Sequence, residues 1–387
     1  MTAPARLLAA LSGDTVIPPP AAPIYLQLYL EPRRRRHLAR IYSEMAAGET
    51  ELRPTFEQEI EARLEALDRS LSVFHHPPAW LPIELGPGRA AVDGCRARPG
   101  PHQCLWYPPD GGEPTDLLAP FDNRHGDLWE CEGEPPDPGL SPAAEPPPSV
   151  AAIADSGALE YTTRAMSRFA DRFLLYGSTG APFWHCYSRL GFVGLMTGLR
   201  ERPDLVDAWA QADLQRLLAV AAALRHAGVS CMFVEECLSG ADLISVPHYR
   251  RHALPPTRDL LAGLKGMGFR VVYYYCGSVE GRLEYLAQLP ADALAFEESK
   301  KGFTIDLGQI RETLGPDRLL FGNTDAVLLR DGSEAQIAAD VARQYAAAGP
   351  RFVVSQGSPA TLDTAPEKLD VLGRVGESAG RESRVSG

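Results

Sequence analysis

The chain has 387 residues, 45% hydrophobic and 23% charged, a composition that can bury a large core and excludes disordered and fibrous classes. Its 38 basic and 50 acidic residues give a net charge of −12, which repels a phosphate backbone and argues against nucleic acid as a partner. Seven cysteines, Cys95, Cys104, Cys131, Cys186, Cys231, Cys237 and Cys276, are scattered without a C-x-x-C pair, so no disulfide framework is expected.

The apolar stretch Leu7 to Leu11 is too short for a secretory core, and no run approaches the roughly 18 apolar residues of a membrane span. A cytoplasmic protein that does not use membranes is expected. Pro23 to Leu30 and Ala79 to Leu85 read as strands, separated by a charged helical stretch from Arg33 to Arg69. Within it, Arg33 to Arg36 would wrap around a helix rather than line one side. They read as a solvated helix start or as a clamp for an anionic substrate.

Residues 86–149 form an insertion, in which Pro101 to Val150 hold twelve prolines and ten acids against one arginine. Such a segment lacks the material for a core of its own. It reads as a lid anchored by Trp106, Tyr107 and Trp129, or as an acidic surface loop.

From Val150 onward, short apolar runs alternate with amphipathic stretches, the pattern of parallel strands joined by crossover helices. Strands are expected over Arg172 to Tyr176, Cys231 to Glu235, Arg270 to Cys276, Ala293 to Phe296, Arg318 to Phe321 and Arg351 to Ser355. Helices are expected over Asp204 to His226, Pro255 to Met267, Val279 to Leu289 and Ser333 to Ala348. The sequences Ser333-Glu334-Ala335-Gln336 and Thr364-Ala365-Pro366-Glu367 have the form of capping boxes. With the two upstream strands the count is eight, and a (β/α)8 TIM barrel follows. Residues 1–377 are expected as one barrel domain and 378–387 as a disordered tail.

In such a barrel, chemistry collects at the C-terminal strand ends. Those ends carry Gly177 to Gly180, Glu235-Glu236-Cys237, Tyr274 to Ser278, Glu297 to Lys301, Asn323-Thr324-Asp325 and Ser355 to Pro359. Strand alternation puts Tyr274 and Cys276 on the lumen side and Tyr273 and Tyr275 opposite. Cys276, before a helix start, is a candidate nucleophile or ligand; a buried inert thiol is the alternative. Only one of Glu297 and Glu298 is expected to face the lumen, and the same holds for Glu235 and Glu236. Asp325 and Asn323 read either as substrate contacts or as loop residues, with Asp325 a helix cap. Trp184, Tyr187 and the tyrosines near 274 could receive a cationic group.

Four segments, Leu243-Ile244-Ser245-Val246-Pro247, Val272 to Gly277, Gly322-Asn323-Thr324-Asp325 and Thr364-Ala365-Pro366-Glu367, resemble the uroporphyrinogen decarboxylase superfamily over roughly 151–377. The resemblance implies a barrel of the uroporphyrinogen decarboxylase type and two branches of chemistry. One branch is cofactor-free decarboxylation in porphyrin biosynthesis; the other is zinc-dependent methyl transfer between corrinoids and thiols. In the second branch, zinc is held by a His-x-Cys pair and a later Cys. Those positions here are Tyr274, Cys276 and Ser358, two of which are poor zinc ligands. In the first branch, arginines after the first strand bind carboxylates, whereas no arginine occurs here before Arg33 beyond Arg6.

The resulting expectation is a small-molecule methyltransferase, with Cys276, Glu297, Glu236 and Asp325 as catalytic residues. Tyr274, Asn323, Ser358 and Trp184 are expected to bind substrate. Zinc, if used, would be held by Cys276 and Glu297, and otherwise no cofactor is expected. A corrinoid protein is a possible partner implied by the resemblance, as is homodimerisation. The alternatives are a decarboxylase using Arg33 to Arg36 and a non-catalytic binding barrel.

Overall fold

Seven parallel strands curl in the order β1 (Trp80–Pro82), β5 (Leu174–Gly180), β6 (Cys231–Glu236), β7 (Arg270–Tyr275), β8 (Ala293–Phe296), β9 (Leu319–Phe321) and β10 (Phe352–Val353) in this computed structural model, which describes residues 1–119, 146–300 and 302–382. A short eighth stave closes the ring. Val354 N donates to Pro20 O at 2.8 Å and Ala22 N to Val354 O at 2.9 Å. On its other side, Ala79 N donates to Ala21 O at 3.4 Å. Crossover helices such as Pro203–His226, Leu254–Gly266 and Glu334–Ala348 surround the ring, the arrangement of a TIM barrel.

The strands are apolar because both faces are covered. The lumen is filled by rings from several staves. Trp80 lies 4.2 Å from Tyr176, 5.9 Å from Phe233 and 5.3 Å from Phe321, centroid to centroid. Phe233 stacks on Tyr274 at 5.9 Å. This aromatic plug makes the barrel a packed core rather than a pore, and it forms the floor of the mouth.

Two expected elements are corrected. Pro23 to Leu30 is not a strand: the stave is confined to residues 20–22, and helix Leu26–Ala46 begins directly after it. Leu26, Tyr29 and Leu30 are buried while Gln27 and Leu28 are less so, a helical period within a run that reads as continuous apolar sequence. The helix expected over Val279 to Leu289 is reduced to Leu283–Ala287, because Gly281 takes φ 63° and the preceding residues turn.

The insertion also packs better than its composition suggests. β2 (Arg96–Pro99), β3 (Cys104–Tyr107) and β4 (Thr115–Asp116) form an antiparallel sheet. Its buried Ala97, Cys104 and Leu117 join Leu38, Tyr42 and Ala62 of helices Leu26–Ala46 and Phe56–Leu71 in a second small core. The apolar partners come from outside the insertion, which is why its own composition does not reveal them. Trp106 is half-buried there, Tyr107 packs under Arg96 and Arg98, and Trp129 lies outside the described residues.

The Ser333 capping box forms, with Ser333 N donating to Gln336 Oε1 at 2.8 Å and Gln336 N to Ser333 Oγ at 3.3 Å. Helix Pro366–Glu382 extends into the stretch expected as a tail. Among the described residues, no helix is long and apolar enough to cross a membrane.

Candidate active site

The strand ends meet at the mouth above the aromatic floor. Because β6 and β7 are registered Glu235 to Tyr274 and Glu236 to Tyr275, Phe233, Glu235 and Tyr274 share the lumen side, and Glu236 and Tyr275 face the surrounding helices. The Tyr25 hydroxyl donates to Glu235 Oε2 at 2.6 Å, and its ring meets Tyr274 edge-on at 5.4 Å. Tyr25 holds φ 56°, a left-handed conformation that costs a non-glycine residue about 1–2 kcal/mol. Burial raises the Glu235 carboxyl above the usual carboxylate range, and the Tyr25 hydroxyl partly offsets this.

Glu236, expected as a catalytic residue, is displaced from the mouth by that register. Its side chain is fully buried, with Oε1 accepting from Leu238 N at 2.9 Å. Burial pushes its pKa to about 8 against the pull of backbone amides. Glu235 is therefore the mouth carboxylate of the pair, and Tyr25 is a site residue that no sequence signal indicated.

Glu297 and Glu298 both point into one polar knot, contrary to the alternation expected of them. β8 ends at Phe296, so the strand rule stops before it could separate them. Lys300 Nζ lies 2.5 Å from Glu297 Oε1 and 3.4 Å from Glu298 Oε1, and donates to Ser358 Oγ at 2.7 Å. Ser358 Oγ donates in turn to Glu298 Oε2 at 2.7 Å. Glu297 Oε2 accepts from Gly277 N at 2.9 Å, which ties the knot to the residue after Cys276. Burial is the largest single influence and alone would lower the Lys300 pKa, but the surrounding acidic groups, Glu297 and Glu298 foremost, together outweigh it and the net shift is upward.

The 355–358 loop can approach this knot because residue 357 is glycine. A Cβ there would lie 2.5 Å from Glu298 N and 2.6 Å from Glu298 Oε2. Gly357 O also accepts from the Tyr274 hydroxyl at 2.8 Å. Tyr274, Cys276 and Ser358 thus surround one mouth.

Cys276 is half-buried, as is Cys237 at the end of β6. The neighbouring Cys276 thiol, with burial and the nearby Glu235, drives the Cys237 pKa well up. The position of Cys237 beside Cys276 follows from the register of β6 and β7.

Other candidates have mainly structural contacts. Asp325 caps helix Ala326–Asp331, its Oδ1 accepting from Val327 N at 2.6 Å and Leu328 N at 3.1 Å. Asn323 Nδ2 donates to Glu297 O at 3.2 Å, bracing the knot. Both line a side cavity of about 390 Å³ with Glu298 and Arg343. Trp184 lies in the first turn of helix Pro182–Glu201; its indole packs where a Cβ on Gly180 would intrude. Tyr273 and Tyr275 are fully buried outside the lumen.

The residues present do not fit the zinc centre implied by the resemblance. Tyr274 and Ser358 are committed to Gly357 O and to Lys300 with Glu298, and Glu297 to Lys300 and Gly277 N. Among the described residues, no three His, Cys, Asp or Glu side chains gather as a metal site.

Of the arginine run, Arg33 lies over the Tyr29 ring at 4.6 Å, and Arg36 donates to Pro32 O on its own helix. Arg34 and Arg35 line a cavity of about 620 Å³ beside the mouth, with Arg63, Glu84 and Trp106. Arg34 pairs with Glu31 at 2.6 Å and Glu84 at 3.5 Å, and Arg63 with Glu59 at 2.7 Å.

A parallel barrel with a polar strand-end mouth defines an α/β-barrel protein of the kind that builds sites at that face. The family described as uroporphyrinogen decarboxylase (URO-D) matches residues 141–376, more than half of the sequence, and the chain belongs to that family. It is 26% identical over 305 residues to a uroporphyrinogen decarboxylase of Bordetella petrii, covering 71% of this chain and 83% of that one. It is 28% identical over 166 residues to one of Pelobacter propionicus, covering 41% and 46%. Among solved structures it resembles a methyltransferase from Methanosarcina mazei, with a TM-score of 0.64, 16% identity and 99% of each chain covered. That likeness concerns the fold.

Proposed function

We propose that the chain is a small-molecule methyl-transfer enzyme of the URO-D family, with the Cys276 sulfur as nucleophile. The observation that carries this reading is the placement of a half-exposed thiol at the strand ends, next to the residue that holds Glu297 and its Lys300 ammonium, in the mouth that also holds the Glu235 carboxylate. In the reacting step the bond from methyl to its donor breaks, the electron pair leaves with the donor, and a bond forms to the Cys276 thiolate. A second displacement by the acceptor regenerates the thiolate. Glu235 above the Tyr25 and Tyr274 rings suits a cationic methyl donor through charge and ring attraction. The whole-length likeness to the Methanosarcina mazei methyltransferase supports the same class.

No step is routed through zinc, because the side chains that would hold it are engaged elsewhere. The test is transfer of labelled methyl from a sulfonium or quaternary ammonium donor, and from methylcobalamin, to a small thiol. Transfer that disappears in Cys276→Ser is expected; equal transfer in that variant would refute the assignment.

A second reading has its own support in the arginine-lined cavity and in the two decarboxylase relatives. It is cofactor-free decarboxylation of a carboxylic acid. Uroporphyrinogen itself would have to displace Glu31, Glu84 and Glu59 from Arg34 and Arg63, at a cost in desolvated charge. Carbon dioxide release abolished by Arg34→Met, with no methyl transfer by the wild type, would favour this reading.

A further inference from the structure

Two features set Cys237 and Cys276 apart from the other described cysteines. Cys95, Cys104, Cys186 and Cys231 are buried, and burial raises the thiols of Cys95 and Cys104 to about 11. Cys237 and Cys276 are half-exposed. They also stand one residue beyond the last registered pair of β6 and β7, Glu236 with Tyr275, and Cys276 N donates to Glu236 O at 2.9 Å. That bond continues the ladder one step past the strands, and at this step the two backbones lie about 4.8 Å apart. That spacing falls within the roughly 4.4–6.8 Å that a disulfide bridges. At that spacing closure needs side-chain rotation rather than backbone movement.

We propose that Cys237 and Cys276 form a thiol–disulfide exchange site that reduces small-molecule disulfides, with Cys276 attacking and Cys237 resolving. In the first step the Cys276 thiolate attacks one sulfur of R–S–S–R, forming a mixed disulfide and releasing one thiolate. Cys237 then gives its proton to water at the mouth and attacks the Cys276 sulfur, releasing the second thiolate. In total, two protein thiols and R–S–S–R become one protein disulfide and two R–SH. Cys276 precedes Gly277, whose N–H holds Glu297 beside the Lys300 ammonium, and that placement at the mouth makes Cys276 the first attacker. The acidic mouth, with Glu235, Glu297 and Glu298, selects for neutral or cationic disulfides over anionic ones. This inference does not depend on methyl transfer.

The test uses the full chain with Cys131 changed to serine, treated with bis(2-hydroxyethyl) disulfide and followed by intact mass and peptide mapping. The wild-type pair is expected to lose two hydrogens, gain no adduct and yield a linked Cys237–Cys276 peptide. Cys237→Ser is expected to accumulate a hydroxyethylthio adduct on Cys276, and Cys276→Ser to react more slowly at Cys237. A stable adduct on Cys276 when Cys237 is present, or no reaction at either cysteine, overturns the proposal. Methyl-transfer activity is read separately, so its failure would leave this result interpretable.

Discussion

The Lys300 ammonium sits 2.5 Å from Glu297 Oε1 in the space between the ends of β8 and β10. By also meeting Ser358 and Glu298, it gives two buried carboxylates a common counter-charge. Removing one partner of a fully buried pair costs about 3–5 kcal/mol. The Lys300 side chain is 30% exposed, so Lys300→Met is expected to cost less, about 2 kcal/mol. Denaturant unfolding of the variant checks this; unchanged stability would show that the knot is held by other contacts.

Gly357 brings its loop against Glu298. Gly357→Ala places a methyl 2.5 Å from Glu298 N and is expected to destabilise by about 1–3 kcal/mol, as overpacking does. It should also lower activity, since Ser358 and the Tyr274 contact move with the loop. Thermal melting and turnover measured together check both effects. Full activity with normal stability would show that the loop is not part of the site.

Tyr25→Phe removes the hydroxyl bonded to Glu235 and leaves the carboxylate as buried as before. The Glu235 pKa, already raised, is expected to rise further, because its stabilising donor is lost. Carbon-13 NMR titration of labelled glutamate would record an upward move. A fixed titration would show that water replaces the hydroxyl completely.

Glu236 gives a pH prediction with a definite sign. Its folded-state pKa of about 8 lies above the ordinary 4.5, so the folded state favours its protonated form. The contribution to stability is full below about 4.5 and is lost as pH rises through about 8. Glu236→Gln keeps a neutral acceptor for Leu238 N and should flatten this decline, becoming more stable than the wild type above pH 8. Melting temperatures across pH 4–9 test it; parallel curves for the two proteins would contradict it.

Most of the barrel can be read from the sequence because buried parallel strands are nearly continuous apolar runs, as in Val271 to Tyr275 and Ala293 to Phe296. The closing stave cannot, since residues 20–22 contribute only a bridge and the adjoining apolar run is a helix face. The site divides in the same way. Its polar strand ends, including Tyr274, Cys276 and Ser358, follow from barrel logic. The choice of Glu235 over Glu236 required the β6–β7 register, and the pairing of Cys237 with Cys276 required it too. Tyr25 depends on a left-handed backbone that an ordinary tyrosine does not announce. Glu297 and Glu298 were separated by a strand rule applied one residue past the strand.

The most direct test of the central claim measures two products from one preparation. Wild type and Cys276→Ser are each given a methyl-labelled onium donor with a small thiol and, separately, carboxyl-labelled uroporphyrinogen. The account predicts labelled thioether from the wild type alone and no labelled carbon dioxide from either protein. Carbon dioxide release that survives in Cys276→Ser, without thioether, would contradict it.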